Sequence, residues 1–380
     1  MIDTIVMSIP MGEFKIMDYD KFSPSARGLF EPPYYRLGGR GYFECFLNPA
    51  KGAEYAPRLT LSKRIRSSGF SIALKIELSL PKLLFGNNFD ELDDGDFDAL
   101  VGKLCYKLAE VGIIITPDNL ATATITGIHY GKNIILTGKA SANLIIRMLA
   151  KLNISKRLDA GHTDFRNDGQ AVRYHTNTYE LTFYDKVRDL EQAKISEKRA
   201  IEQDNKVQLE LFSRAELKAI EVLRMECRLN TRKNIKSMLE KCEIRNRDLT
   251  FKDLFCKDIS RAVLMWFWDD FIQPDLGILL LAERDIKATF TRLKMTGMKE
   301  MDILKSCGAL YFVKEHGIRG FRENLASKGN TFARINKTLK DVDLRDNYIC
   351  DCFKAVQFKI LEFSRIKLAD YKEFMITSKP

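Results

Sequence analysis

Two stretches of the chain alternate between apolar and polar residues with a period of two. Within 174–186, Tyr179, Leu181 and Phe183 share one face, and Glu180, Thr182, Tyr184 and Lys186 share the other. Within 223–229, Leu223, Met225, Cys227 and Leu229 face one way, and Arg224, Glu226 and Arg228 the other. Such alternation predicts half-buried strands. The same period appears at 70–80, where Ile72, Leu74, Ile76 and Leu78 oppose Ser71, Ala73, Lys75, Glu77 and Ser79 until Pro81 ends the strand. Residues 1–10 form an opening strand stopped by Pro10, and strands are expected at 122–130 and 133–137.

Helical spacing takes over elsewhere. Phe97, Leu100, Val101, Leu104, Cys105 and Leu108 recur at intervals of three and four after the N-cap chemistry of Asp93–Asp96, with Gly112 as C-cap. A second amphipathic helix is predicted over 141–152. Residues 188–221 are almost all charged or helix-forming and predict a solvated helical insertion between two strands. Residues 20–67, rich in Gly, Pro and Tyr, predict turns and short strands. Their glycines lack the lysine of a phosphate-binding P-loop. From Asp253 onward the pattern is helical, with Trp266 and Trp268 as core residues. The expected fold class is α+β. A mainly antiparallel sheet with helices on one face fills a domain of residues 1–245, and a helical domain, open to a winged-helix reading, fills 246–380.

Charge narrows the range of partners. The 380 residues carry a net charge of +10, and residues 286–345 hold 13 basic against 6 acidic side chains. Helix, turn and helix signals at 299–315, 317–320 and 321–326, then a helix at 331–341 bearing Arg334 and Lys337, would suit a DNA reader. They would equally suit a basic helical bundle. No apolar run is long enough to span a membrane, and no basic-then-apolar leader opens the chain, so a cytoplasmic protein is expected. The eight cysteines are scattered and complete no zinc-type spacing.

The polar faces of the two alternating strands carry the candidate chemistry. If both strands lie in one sheet, they unite a phenol, a carboxylate suited to a metal ion and guanidinium groups suited to phosphate. Those are the parts that nucleophilic attack on a phosphodiester requires.

Several segments, in order over roughly residues 1–235, carry a resemblance. They are Met1-Ile2-Asp3, the run from Leu74 to Asn88, Ile125-Thr126-Gly127-Ile128-His129-Tyr130, Phe183-Tyr184-Asp185-Lys186 and the run from Leu223 to Leu229. Together they resemble the gene II / gene X family of rolling-circle replication initiators of filamentous phages and related plasmids. The resemblance implies a tyrosine-nickase-like fold and a site- and strand-specific endonuclease that cuts an origin and later reseals it. It implies Tyr184 as nucleophile, Lys186 as its neighbouring lysine and Glu226 as a metal ligand. His129 stands where other members have an aspartate, and imidazole is also a metal ligand. The two histidines flanking one apolar residue, common in tyrosine nickases, are absent from His129, His162, His175 and His316.

The expected mechanism is attack by Tyr184 on a scissile phosphate, giving a 5′-phosphotyrosyl link and a free 3′-hydroxyl. Mg or Mn is expected on Glu226 with His129 or Glu77. Lys186 is expected to steer phosphate or stabilise phenolate from the Tyr184 face. Arg224, Arg228, Arg334 and Lys337 are expected to contact DNA, and Tyr130 and Tyr179 are the next candidate nucleophiles. Expected partners are duplex origin DNA, single-stranded DNA, and a host helicase and polymerase. Two other readings stay open: a non-catalytic origin-binding repressor or copy-control protein, and a relaxase or transposase of related chemistry.

Overall fold

The structure is a computed structural model. It describes residues 1–29, 42–47, 55–66, 69–136, 140–152, 163–166, 171–175, 179–189, 221–325, 334–335, 337, 339, 348–367 and 370. The 190–220 part of the charged insertion lies outside the described residues, as does most of the 331–341 helix.

Nine antiparallel strands form one sheet in the order β3-β4-β5-β1-β7-β11-β10-β9-β8. They are β1 (Ile2–Pro10), β3 (Tyr42–Leu47), β4 (Arg58–Arg66), β5 (Gly69–Ser79), β7 (Thr124–Leu136), β8 (Thr163–Arg166), β9 (Ala171–His175), β10 (Tyr179–Asp185) and β11 (Glu221–Leu229). A small second sheet pairs β2 (Phe14–Ile16) with β6 (Ile113–Ile115). The two strands expected at 122–130 and 133–137 are one continuous β7. Gly131, between the two expected strands, lies in the middle of β7 beneath the Arg224 guanidinium. The 174–186 stretch is a hairpin of β9 and β10, with His175 opposite Glu180.

Alternation gives this sheet two unlike faces. Ile5, Met7, Leu74, Ile76, Leu78, Leu181, Phe183, Met225 and Cys227 are buried on one of them. Helices cover that face. The Tyr174 hydroxyl donates to Leu149 O in α4 (Ala142–Ala150), after the short helices α1 (Leu80–Phe85) and α3 (Pro117–Ala121) and the longer α2 (Phe97–Glu110). Tyr179 meets Lys241 of α5 (Arg232–Lys241) and, past α6 (Phe251–Leu254), Phe267 of α7 (Lys257–Phe267). Both rings are thus core packing, and the hydroxyl of fully buried Tyr130 lies on the same covered side.

The chain continues through a π-helical turn, Trp268–Ile272, into α8 (Gln273–Ala282). Pro274 in the first turn of α8 lacks an N–H, which accounts for the shifted ladder just before it. Next come α9 (Ile286–Met295), α10 (Glu300–Leu325) and α11 (Tyr348–Glu362). The expected separate helices at 299–315 and 321–326 are found as the two halves of α10, which meet at a break where Gly317 leaves helical geometry. After β11 no strand occurs among the described residues, so the expected wing is not found there.

Buried apolar residues join in one cluster from Met1 to Phe363, so the expected division at 245/246 is not a break in the core. Lys132 Nζ, on the covered face, donates to Glu91 Oε2 at 2.5 Å and Ser364 O at 2.8 Å. Glu91 N donates to Ile366 O at 2.9 Å. The segment after α11 therefore closes the edge of β7 that extends past the start of β1. No helix among the described residues is long and apolar enough to cross a membrane.

Gly317 adopts φ 72° and ψ 172°, a conformation open to glycine, and its neighbour Ile318 N donates to Lys151 O at 2.8 Å. A Cβ at 317 would lie 2.9 Å from Lys151 O. Gly317→Ala is expected to destabilise the protein by about 2 kcal/mol, measured as a lower urea midpoint, with α4 and α10 losing their junction.

Candidate functional site

The register of the central strands brings the polar positions together. Thr182 faces Glu226 and Tyr184 faces Arg224 across β10 and β11. Across β11 and β7, Arg224 faces Asn133, Glu226 faces Gly131 and Arg228 faces His129. Tyr184, Arg224, Glu226, Arg228 and His129 therefore share the face that the α4, α5 and α7 helices leave alone.

At its centre the Tyr184 hydroxyl donates to Glu226 Oε2 at 3.3 Å. Arg228 Nε donates to Glu226 Oε1 at 2.7 Å, and His129 Nδ1 stands 3.6 Å from the same oxygen. Arg224 Nε lies 3.6 Å from Oε2. Arg228 also reaches Glu180 Oε1 at 3.2 Å, and Arg173 pairs with the other Glu180 oxygen. Burial acts to raise the Glu226 carboxyl, but the charged Arg228 and Arg224 outweigh it and hold the group well below the usual carboxylate range. Burial lowers His129 despite the opposing pull of Glu226, leaving a neutral imidazole at pH 7. Burial raises the Tyr184 phenol well above 10, with Arg224 opposing.

Lys186 stands beside the Tyr184 ring, as expected, but it is enclosed there rather than exposed. Asp185 Oδ1 accepts Val187 N at 3.0 Å and Arg188 N at 3.1 Å, which turns the chain sharply at the end of β10. Lys186 folds back, 2% exposed, with Nζ 5.6 Å from the Tyr184 ring centroid and 5.5 Å from that of Phe89. A cation between two aromatic faces is favourable, but burial, reinforced by Arg224, brings its ammonium down to about 7.

Arg224 is also placed differently from expectation. Its side chain is 4% exposed and lies below the surface, so it does not present itself to a DNA backbone. Nη1 donates to Asn133 Oδ1 at 2.9 Å and Asn88 O at 3.3 Å, and Nη2 lies 3.2 Å from Asp3 Oδ2. Asp3 reaches it through a β-bulge. The pairing of β1 with β7 steps two residues, Ile2 to Thr4, against one, Tyr130 to His129, and bulges re-aim side chains in this way.

Asp3, Asn133, Gly131 and Glu180 are members of the site that the sequence reading missed. Glu180 was visible on the polar face of its strand. Nothing in the sequence marks the bulge.

Arg228 remains the accessible guanidinium, 36% exposed. Glu77 shares the open face but opposes Val6 on β1, which opposes Gly127 on β7. It is thus two strands from His129, about 10 Å away by strand spacing, and its carboxylate accepts Lys75 Nζ at 3.2 Å. Glu77 is not brought to the candidate metal site. Arg334 and Lys337 are exposed and do not belong to this cluster. Among the described residues no group of three His, Cys, Asp or Glu stands close enough to hold a metal ion. His129 and Glu226 alone supply two ligands, a number that Mg²⁺ accepts where phosphate oxygens and water complete the shell.

The lysine gives a pH test. Its ordinary value of 10.5 falls to about 7 in the fold, so between those limits the unfolded chain binds one more proton and stability rises with pH. Below about pH 7 the full cost of the buried ammonium is present. Lys186→Met is expected to raise the urea midpoint at pH 7 and to lose that advantage by pH 10, compared in parallel denaturation curves. A midpoint difference independent of pH would show that Lys186 is not titrating there.

Comparison with family models, with curated proteins and with solved structures finds no match for this chain.

Proposed function

We propose that the protein is a tyrosine-dependent DNA nicking and joining endonuclease that initiates rolling-circle replication. The observation that carries this reading is the Tyr184 hydroxyl on Glu226 Oε2 at 3.3 Å, reached from strands 42 residues apart in sequence and set on the open face of the sheet. The order of motifs that resembles the filamentous-phage initiators points the same way.

In the proposed reaction the Tyr184 oxygen attacks the scissile phosphorus while its proton passes to Glu226 Oε2. The O–P bond forms as the bond from phosphorus to the 3′-oxygen breaks. The 3′-oxygen leaves with the bonding pair and takes a proton from water, leaving a 5′-phosphotyrosyl link. Because Glu226 is held well below the usual carboxylate range, it is a weak base, so proton transfer has to accompany phosphorus–oxygen bond formation. Attack by a 3′-hydroxyl reverses the step and needs no nucleotide cofactor. Exposed Arg228 would neutralise a phosphate lying on this face. His129 and Glu226 would hold a Mg or Mn ion together with substrate oxygens, and the ion would draw charge from the phosphate. Origin duplex, its exposed single strand and host helicase and polymerase are the partners this function requires.

A supercoiled plasmid carrying the protein's own origin, incubated with Mg or Mn, is expected to yield nicked circles with protein on the 5′ end. Tyr184→Phe is expected to lower covalent complex formation by a factor on the order of 10⁴ or more while origin binding persists. A chelator is expected to stop nicking and leave binding intact. Equal nicking by the Phe variant would move the nucleophile elsewhere, and binding without any nicking would favour the repressor reading.

A further inference from the structure

The first half of α10 is apolar on two opposite sides. Ile303, Leu310 and Val313 are buried where the helix packs on α8 and α9. About half a turn away, Met301, Leu304, Gly308 and Tyr311 recur at intervals of three and four and make one stripe. That stripe faces solvent, with Met301 62%, Leu304 56% and Tyr311 61% exposed. Apolar residues all round a helix are the pattern of a helix covered on every side, and one side of this one is open. The four-residue connection before α10 joins it to α9, which adds Ile286, Phe290 and Met295, all exposed. Single exposed apolar side chains are ordinary on a protein surface, whereas a neighbouring set of them marks an interaction site.

Gly308 adds an observation of another kind. A Cβ there would meet nothing within 4 Å, so no contact inside the protein calls for glycine, and glycine weakens a helix relative to alanine. Its effect is a notch between Leu304 and Tyr311, where an outside backbone can approach closely. Gly102 of α2 is equally open, but its exposed neighbours are Asp98, Lys103, Tyr106 and Glu110, an ordinary solvent face.

Charge decides among the occupants. Residues 286–311 carry five basic side chains against two acidic ones. Lys305 borders the stripe, and Lys287, Lys294 and Lys299 are exposed around it, none with an ion-pair partner among the described residues. The two acids, Glu300 and Asp302, sit in the first turn of α10, where they suit the positive end of the helix. A second copy of this surface would set lysine against lysine. Lipid chains fit any contour and have no use for a notch. A helix that reads DNA turns polar groups outward, not Met301, Leu304 and Tyr311.

We infer that the α9–α10 hairpin is the docking surface for an amphipathic helix of a partner protein, aliphatic along one side and acidic along its flanks. The stripe from Met301 to Tyr311 runs about 15 Å, or about three turns, and the partner helix crosses it at Gly308 as helices dock on apolar surfaces elsewhere. Next to Gly317, Ile318 N joins α10 to Lys151 at the end of α4, on the covered side of the sheet. The docking surface is therefore separate from the Tyr184 face, and the inference stands apart from the nicking reading.

The test is fluorescence anisotropy of the full chain with a synthetic amphipathic peptide of about 18 residues, leucines along one side and glutamates flanking them, and with a twin carrying lysines in place of the glutamates. The acidic peptide is expected to bind about tenfold or more tightly than its twin. Leu304→Asp and Gly308→Leu are each expected to weaken that binding about tenfold or more. Gly308→Leu separates surface from fold: it has room and a better helix former, so it is expected to raise the urea midpoint while it weakens binding. Equal binding of the two peptides, no binding of the acidic one, or acidic-peptide binding that survives Leu304→Asp overturns the inference. If the acidic peptide stays unbound and the two variants instead abolish binding of phosphatidylglycerol vesicles, of an oligonucleotide or of a second copy, the inference is overturned and the surface belongs to that occupant. Nicking by the Leu304→Asp protein is expected to equal that of wild type, so failure of the nicking reading is scored separately.

Discussion

Everything at this site depends on how the buried Glu226 carboxylate is kept charged. Asp3, Glu180 and Glu226 lie on one sheet face with Arg173, Arg224 and Arg228 threaded between them. Removing a carboxylate from water is costly, and the cost is offset only when hydrogen-bonding cations take the place of solvent. Glu226 has two guanidinium groups and a phenol on its two oxygens, so it stays ionised although almost no water reaches it. Such a cluster is a poor way to gain stability, since apolar side chains of similar volume would serve as well. Clusters of this kind are common at functional sites.

The sheet supplies the rigidity that this arrangement needs. β7 and β11 are interior strands, and their covered face is sealed by α4, α5 and α7, so residues on the open face are fixed from behind. Three irregularities then shape the open face. The β1 bulge turns Asp3 toward Arg224, the missing side chain at Gly131 leaves room for the guanidinium, and the 87–91 segment lends Asn88 O and Phe89. That segment is itself held by Glu91, whose oxygens accept Lys132 Nζ and Asn133 N and whose backbone pairs with Ile366. Residues at both ends of the sequence thus bear on one guanidinium.

The regular parts of this design were legible from alternation. Period-two patterns at 70–80, 179–185 and 223–229 marked the strands, and putting Tyr184 and Glu226 on their polar faces followed from parity alone. The irregular parts were not. The polar Gly131-Lys132 pair does not break the strand, so what read as two strands is one continuous β7. A bulge changes parity without leaving a compositional mark, so Asp3 was missed. Lys186 was placed beside Tyr184 by parity and its Nζ does lie over that ring, but the strand stops at Asp185, whose side chain caps the turn, and nothing in the pattern showed that the lysine would be enclosed. Arg224 and Arg228 have equal standing in the sequence, and only cross-strand neighbours separate the enclosed one from the accessible one. In the C-terminal half the helical spacing was visible, but whether those helices pack as a separate body depends on contacts between distant segments, and apolar spacing does not encode them.

A purely structural ion-pair ladder would account for much of this face, and one feature weighs against it. A ladder has no use for a half-buried phenol at its rim, hydrogen-bonded to a carboxylate that two guanidinium groups hold in its charged form. On the proposed nicking reading that carboxylate is the acceptor for the phenol proton and already lies within hydrogen-bond range of it, so little need move. The sheet's departures from regularity, at Asp3 and at Gly131, are what let the Arg224 guanidinium lie beside the same carboxylate.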